Sequence, residues 1–148
     1  MRHKLSSRQR GIGIIEIMVA VLVLSVGLLG LAGLQIRTLR NSESSMQRGI
    51  AVIETHAVAD AMRADRVKAI NGAFDIALGD AAPTGTSFAE VALATWRENL
   101  ENSLGEDATG AVDCNGSFCE VTIQWNDSRG SGEAADLETF QIKTEVQL

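Results

Sequence analysis

An apolar run of membrane length near the N-terminus constrains this chain more than any other feature. From Ile12 to Leu34 every residue is Gly, Ala, Ser, Val, Leu, Ile or Met, with the single exception of Glu16. At the rise of an α-helix the run reaches roughly 34 Å, enough to cross a hydrocarbon core of about 30 Å. A carboxylate inside such a helix costs on the order of 2.5–3.5 kcal/mol at the bilayer centre, and less near an interface. A charge held at that cost requires a partner or a task.

The flanks give the run a direction. Residues 1–11 carry Arg2, Lys4, Arg8 and Arg10 and no acid, so the net charge of −6 becomes −10 once they are removed. A basic end before an apolar span is retained in the cytoplasm, and the part that follows is exported. The acidic remainder does not suit a phosphate-tracking surface, so no nucleic-acid partner is expected. An ordinary secretory signal fits poorly. Its apolar stretch spans 7–15 residues, and no A-x-A-like site follows this one. The small residue in a suitable setting is Gly11, ahead of the run. A cut there would remove the basic residues and leave the apolar helix on the mature protein; without one, the segment is an uncleaved anchor.

Cys114 and Cys119 are the only cysteines, separated by NGSF. Their spacing excludes a redox CxxC. Zinc would need further ligands, and His3 and His56 lie far off in the sequence. In an exported domain the pair reads as a local disulfide, contributing roughly 2 kcal/mol by loop closure.

The stretch RG-IGIIEIMVAVLVLSVGLLGLAGLQ resembles the class III signal of type IV pilins and pseudopilins: a short basic leader ending in Gly, an apolar first mature residue, and Glu at the fifth mature position. Gly11, Ile12 and Glu16 match these positions, while Ile12 and Gly13 replace the family's usual Phe and Thr. The segments LLGLAGLQ and TLRNSESSMQRGIAVIETHAVADAMRADR are similar to those of PilV-type minor pilins, the likeness covering about residues 8–66. The resemblance implies cleavage between Gly11 and Ile12 by prepilin peptidase and N-methylation of Ile12. It also implies an assembly role for Glu16, pairing with the freed amine of a neighbouring subunit as it leaves the membrane. On the residues alone, Glu16 could equally pair with its own chain's amine four residues away or snorkel to the headgroups. The implied partners are other minor pilins and the major pilin through the N-terminal helix, the peptidase, the assembly platform, the inner membrane and a large tip adhesin. The implied function is a minor pilin at or near the tip of a type IV pilus, helping to start the fibre and supporting adhesion or twitching motility. A type II secretion pseudopilin and a membrane-tethered periplasmic binding module are the alternatives.

The expected fold is α+β and pilin-like. A long N-terminal helix, half membrane-spanning and half amphipathic, packs against a small antiparallel sheet of about three strands. Residues 1–11 form the cleaved leader, 12–34 the transmembrane and assembly helix, and 35–148 the periplasmic headgroup. Within the headgroup, 35–70 continue the helix, with Leu39, Met46, Ile50, Ile53, Ala57, Ala61 and Ala64 at three- and four-residue steps as its apolar face. The polar patch Asn41–Ser45 and Gly49 weaken its middle, and Asn71-Gly72 stops it. Gly27, Gly30 and Gly33 serve either close helix packing or local melting. Residues 71–87 read as a surface loop suited to partner contacts, as do 126–136. Ser87 and Glu90 form a capping box for a second helix, with Phe88, Ala92, Trp96, Leu100 and Leu104 as its apolar face and Gly105 as its end. A short strand at Ala111–Cys114 precedes a turn at Asn115–Phe118. The alternating stretches CEVTIQW and FQIKTEVQL are half-buried strands, and a four-residue turn sets Cys114 opposite Cys119.

No GxSxG, HExxH, P-loop or dinucleotide turn occurs, and His56 has only Glu54 and Asp60 nearby. No catalytic residue, metal or cofactor is expected.

Overall fold

A computed structural model describes residues 13–127 and 139–148. Three helices, α1 (Ile14–Ala64), α2 (Arg66–Ile70) and α3 (Phe88–Leu104), precede three strands, β1 (Thr109–Asn115), β2 (Phe118–Asn126) and β3 (Thr139–Gln147). The strands form one antiparallel sheet in the order β1-β2-β3. This is the expected α+β, pilin-like architecture, a long N-terminal helix packed on a small three-stranded sheet. The chain divides into two compact units, residues 1–38 and 39–148.

In the first unit the described part of α1 is exposed at every residue, although nearly all its side chains are apolar. A helix that is apolar all round is stable only when lipid or other helices cover it. Its hydroxyls turn back onto the helix: Ser25 donates to the Val21 carbonyl at 2.7 Å and Thr38 to the Leu34 carbonyl at 3.0 Å. The helix runs unbroken through Gly27, Gly30 and Gly33.

In the second unit α1 buries Gln47, Ala51, Thr55, Val58, Ala59 and Met62. These small residues let the helix approach the rest of the domain closely. The stripe expected to face the core points elsewhere: Leu39, Met46 and Ile53 are 70, 55 and 66% exposed, Ala57 and Ala64 are exposed, and Ile50 and Ala61 are partly buried. The helical period was legible, but two apolar faces share the helix and only the less hydrophobic one is used internally. The helix stays regular through Asn41–Ser45 and Gly49. It breaks instead at Asp65, before α2 ends at Asn71.

Ser87 caps α3 as expected. Its hydroxyl accepts from the Glu90 amide at 3.3 Å, and its own amide donates to the Glu90 carboxylate at 3.1 Å. The buried face is Ala89, Leu93, Trp96, Arg97, Leu100 and Leu104, so Phe88 and Ala92 lie at its margin rather than in it. In β2, Cys119, Val121, Ile123 and Trp125 alternate inward and are buried, as the pattern predicts, and Thr122 is buried too. In β3, Val146 is buried and Phe140 and Ile142 are partly so.

The β1–β2 turn aligns Cys114 with Cys119, and a disulfide joins them. Strand β1 starts two residues earlier than expected and pairs through Asn115, leaving Gly116 and Ser117 between the strands. Gly116 has φ +64° and Ser117 a negative φ, the pattern of a tight hairpin turn that wants glycine at its first central position.

Residues 71–87 form turns and irregular chain, as expected of a loop, but part of the segment is buried. Phe74 and Ile76 are buried, and Ile76 exchanges both backbone hydrogen bonds with Val112 at 2.9 Å. The segment is a strap that occupies the outer edge of β1 at Val112, and the Asp75 carboxylate accepts from the Cys114 amide beside it at 3.0 Å. Of the second expected loop, residues 128–136 lie outside the described residues.

Candidate functional site

The expected processing site, Gly11 and Ile12, lies outside the described residues. Glu16 is described: it falls in the first turn of α1, where its amide and that of Ile17 bond to the Gly13 carbonyl at 3.0 and 3.3 Å. A carboxylate there meets the positive end of the helix dipole, which favours the charge by about 0.3–1 kcal/mol. Sequence reasoning read Glu16 only as a charge inside a span and missed this contribution, because the helix start was placed two residues early. Its side chain is exposed on a face shared with Ala20 and Leu24, and it forms no hydrogen bond or ion pair with the described residues. Among the described residues the geometry therefore offers an acid at the head of an uncovered apolar helix, with no cation beside it.

In the headgroup, α1 is fastened along its length. The Ser44 hydroxyl donates to Asp127 at 2.6 Å, and the Arg48 guanidinium lies 4.3 Å above the Phe140 ring. The Trp96 indole donates to the Glu54 carbonyl at 3.1 Å, and the Met62 sulfur lies 3.9 Å from that of Cys114. These contacts hold the outward stripe Leu39, Met46 and Ile53 at a constant orientation on the domain surface. Seven residues are nearly two full helical turns, so the three share one face.

Arg97 is a second organising group that the sequence did not reveal. Its guanidinium donates to the Ala77 carbonyl at 2.7 Å, the Asp80 carbonyl at 3.2 Å and the Thr109 hydroxyl at 2.7 Å. Thr109 in turn donates to the Leu78 carbonyl at 3.1 Å. Burial lowers the Arg97 pKa, while the charges of Asp80 and Glu101 oppose that shift. A charged residue at a core-facing helical position is the signal that could have found it.

Glu54, on α1 beside α3, has its carboxyl pKa raised by burial. One of its carboxylate oxygens is sealed from solvent without a donor. His56 is exposed, and Asp60 pairs with Arg63 at 2.9 Å rather than with it. Among the described residues no group of three His, Cys, Asp or Glu is placed to hold a metal ion.

One family model matches the chain, the prokaryotic N-terminal methylation motif, over residues 6–32. No match was found among curated proteins or solved structures. The matched segment contains Gly11, Ile12 and Glu16. It supports a type IV pilin-like protein of the prepilin class, pilin or pseudopilin, and suggests a structural role. Helix α1, the one helix among the described residues long and apolar enough to cross a membrane, fits an inner-membrane-anchored pilin.

Proposed function

We propose that this chain is a minor pilin of the PilV type, processed between Gly11 and Ile12, N-methylated on Ile12, and inserted at or near the tip of a type IV pilus. The N-terminal methylation motif over residues 6–32 carries this reading. Residues 1–11 are its cytoplasmic leader, and residues 35–148 its periplasmic headgroup before assembly. There it helps to start the fibre and supports adhesion or twitching motility. Its partners are the peptidase, the assembly platform, other minor pilins and the major pilin, with a large adhesin at the tip.

Cleavage frees an amine two residues before the first helical residue, in lipid, where neither it nor the Glu16 carboxylate is stable alone. Pairing the amine of one subunit with the carboxylate of the next neutralises both and sets the axial register. Methylation keeps the positive charge, so the pair survives it.

The tethered-module alternative predicts that apolar exposure stops where the span stops. Instead Leu39, Met46 and Ile53 stay exposed along one face of the headgroup's own part of α1, which favours assembly. A mere tether has no use for it.

The test is mass spectrometry of the mature N-terminus together with the Glu16→Gln variant. A chain beginning at Ile12, with Glu16→Gln cleaved normally but depleted from sheared pili, is expected. A chain beginning at Met1, or undiminished incorporation of the variant, overturns the proposal.

A further inference from the structure

Between α1 and α3, within the headgroup, lies an open groove of about 250 Å³ lined in part by Glu54, Ala57, Ala61, Ala92, Trp96 and Asn99. Three of its lining residues are alanines, which expose only Cβ and leave room for an inserted side chain, and Val58, Thr95 and Trp96 complete the walls with Asn99. One wall also carries the Glu54 carboxylate, an oxygen of which is shut off from solvent and accepts no hydrogen bond. The described ion pairs do not reach it: Arg63 is held by Asp60, Lys68 by Asp65 and Lys143 by Glu120. Within a folded subunit this is a cost without a return, because a buried acceptor that lacks its donor loses hydration for nothing.

We propose that this groove receives an arginine or lysine side chain from the α1 helix of a neighbouring pilin subunit. The aliphatic stem would lie over Ala57, Ala61 and Ala92, and the cationic head would meet the Glu54 carboxylate. Two features select this occupant. The chemistry of the wall, an apolar trough with one unpaired acid, matches a long side chain that is apolar along its stem and positive at its tip. The position matches a helix. Ala57 is shared between the groove and the exposed stripe that runs through Leu39, Met46 and Ile53, so a partner helix covering the stripe lies beside the trough. The trough thereby gives the contact a specific lock in addition to nonspecific apolar area.

The inference rests on the assembly reading above, and the experiment separates the two. Full-length wild-type, Glu54→Gln, Glu54→Lys and Asp60→Asn chains are expressed in cells that build pili. The mature N-terminus, the thermal midpoint in detergent and the amount in sheared fibres are then measured. Asp60 is an exposed acid on the same helix, outside the groove. The expected result is normal cleavage at Ile12 throughout, no loss of thermal stability in Glu54→Gln, and fibre content reduced about tenfold or more in both Glu54 variants. Asp60→Asn should assemble as wild type. Wild-type assembly of both Glu54 variants, with cleavage intact, overturns this inference and leaves the assembly reading standing. An equal loss in Asp60→Asn also overturns it, since general acidity would then suffice. A wild-type chain still beginning at Met1 overturns the assembly reading itself.

Discussion

Gly110 is the position where one added methyl group tests the packing of the headgroup most directly. It lies on β1 against the Trp96 indole. A Cβ built there falls within 2.8 Å of Trp96 Cζ2 and Cζ3, well inside contact distance, and closer still to Cη2. The indole has little freedom to retreat, because it is 3% exposed and its Nε1 is held by the Glu54 carbonyl. Overpacking of this kind costs about 1–3 kcal/mol. Losing the indole hydrogen bond adds about 1 kcal/mol. Gly110 has no positive φ, so alanine relieves about 0.5 kcal/mol through the unfolded chain. The net expectation for Gly110→Ala is a loss of about 2–3 kcal/mol, read by urea denaturation of the full chain in detergent with tryptophan fluorescence. Trp96→Leu removes the obstructing ring at its own cost, and in that background Gly110→Ala should become nearly neutral. The double-mutant cycle should then show a coupling of about 1–2 kcal/mol. A single-variant effect under about 0.5 kcal/mol, or simple additivity of the two, refutes the claim that ring and strand are locked together.

Arg97→Leu should release the 77–80 turn and cost about 2 kcal/mol or more, since three acceptors lose a charged donor; amide hydrogen exchange at residues 77–80 and 109–112 should rise with it. Replacing both Cys114 and Cys119 by serine should lower stability by roughly 2 kcal/mol while leaving the fold intact, since the register is also held by the flanking pairs; circular dichroism of the reduced and oxidised protein checks this. The Glu90 carboxyl pKa is lowered by its bonds to the Ser87 side chain and backbone. Its contribution is therefore present above the ordinary value of 4.5 and lost as pH falls through the lower folded value. Glu90→Gln should be less stable than wild type at pH 7, with the gap closing in acid; a gap that persists or grows in acid contradicts the assignment. For Glu54 the sign reverses: burial raises its pKa, so Glu54→Gln should gain stability at pH 7 and lose that advantage below about 4.5, as thermal melts across pH will show.

Period and punctuation made much of this fold readable. The alternation in CEVTIQW placed four inward residues correctly, and Ser87 with Glu90 marked the start of α3 because a capping box is a local, self-contained interaction. What stayed hidden depends on partners distant in sequence. Nothing local distinguishes the α1 face that is buried in the domain, with Ala51, Thr55 and Ala59, from the more apolar face that is not. The hydrophobic rule selects the face with larger side chains, whereas close helix approach selects the one with smaller ones. The burial of Phe74 and Ile76 within the loop 71–87 was missed because Ala, Gly and Thr make up most of that segment. The alternation of Phe74 and Ile76 was the only trace of a strap. At the candidate site, Glu16 stood out because a charge in an apolar run is conspicuous. Arg97 and Glu54 did not, because a charge in an amphipathic helix is ordinary.

The anchoring of the 77–80 turn by Arg97 has an evolutionary consequence. The bonds that shape this bend end on the carbonyls of Ala77, Leu78 and Asp80, which every amino acid possesses. The anchor is therefore blind to the side chains at positions 77 and 78, while Asp80 also contributes its carboxylate, which accepts from the Ala77 amide at 2.9 Å. Lineages carrying this domain can rewrite the outer surface at positions 77 and 78, to suit new neighbours or evade recognition, provided that Asp80, Arg97 and Thr109 persist and the bend keeps its length.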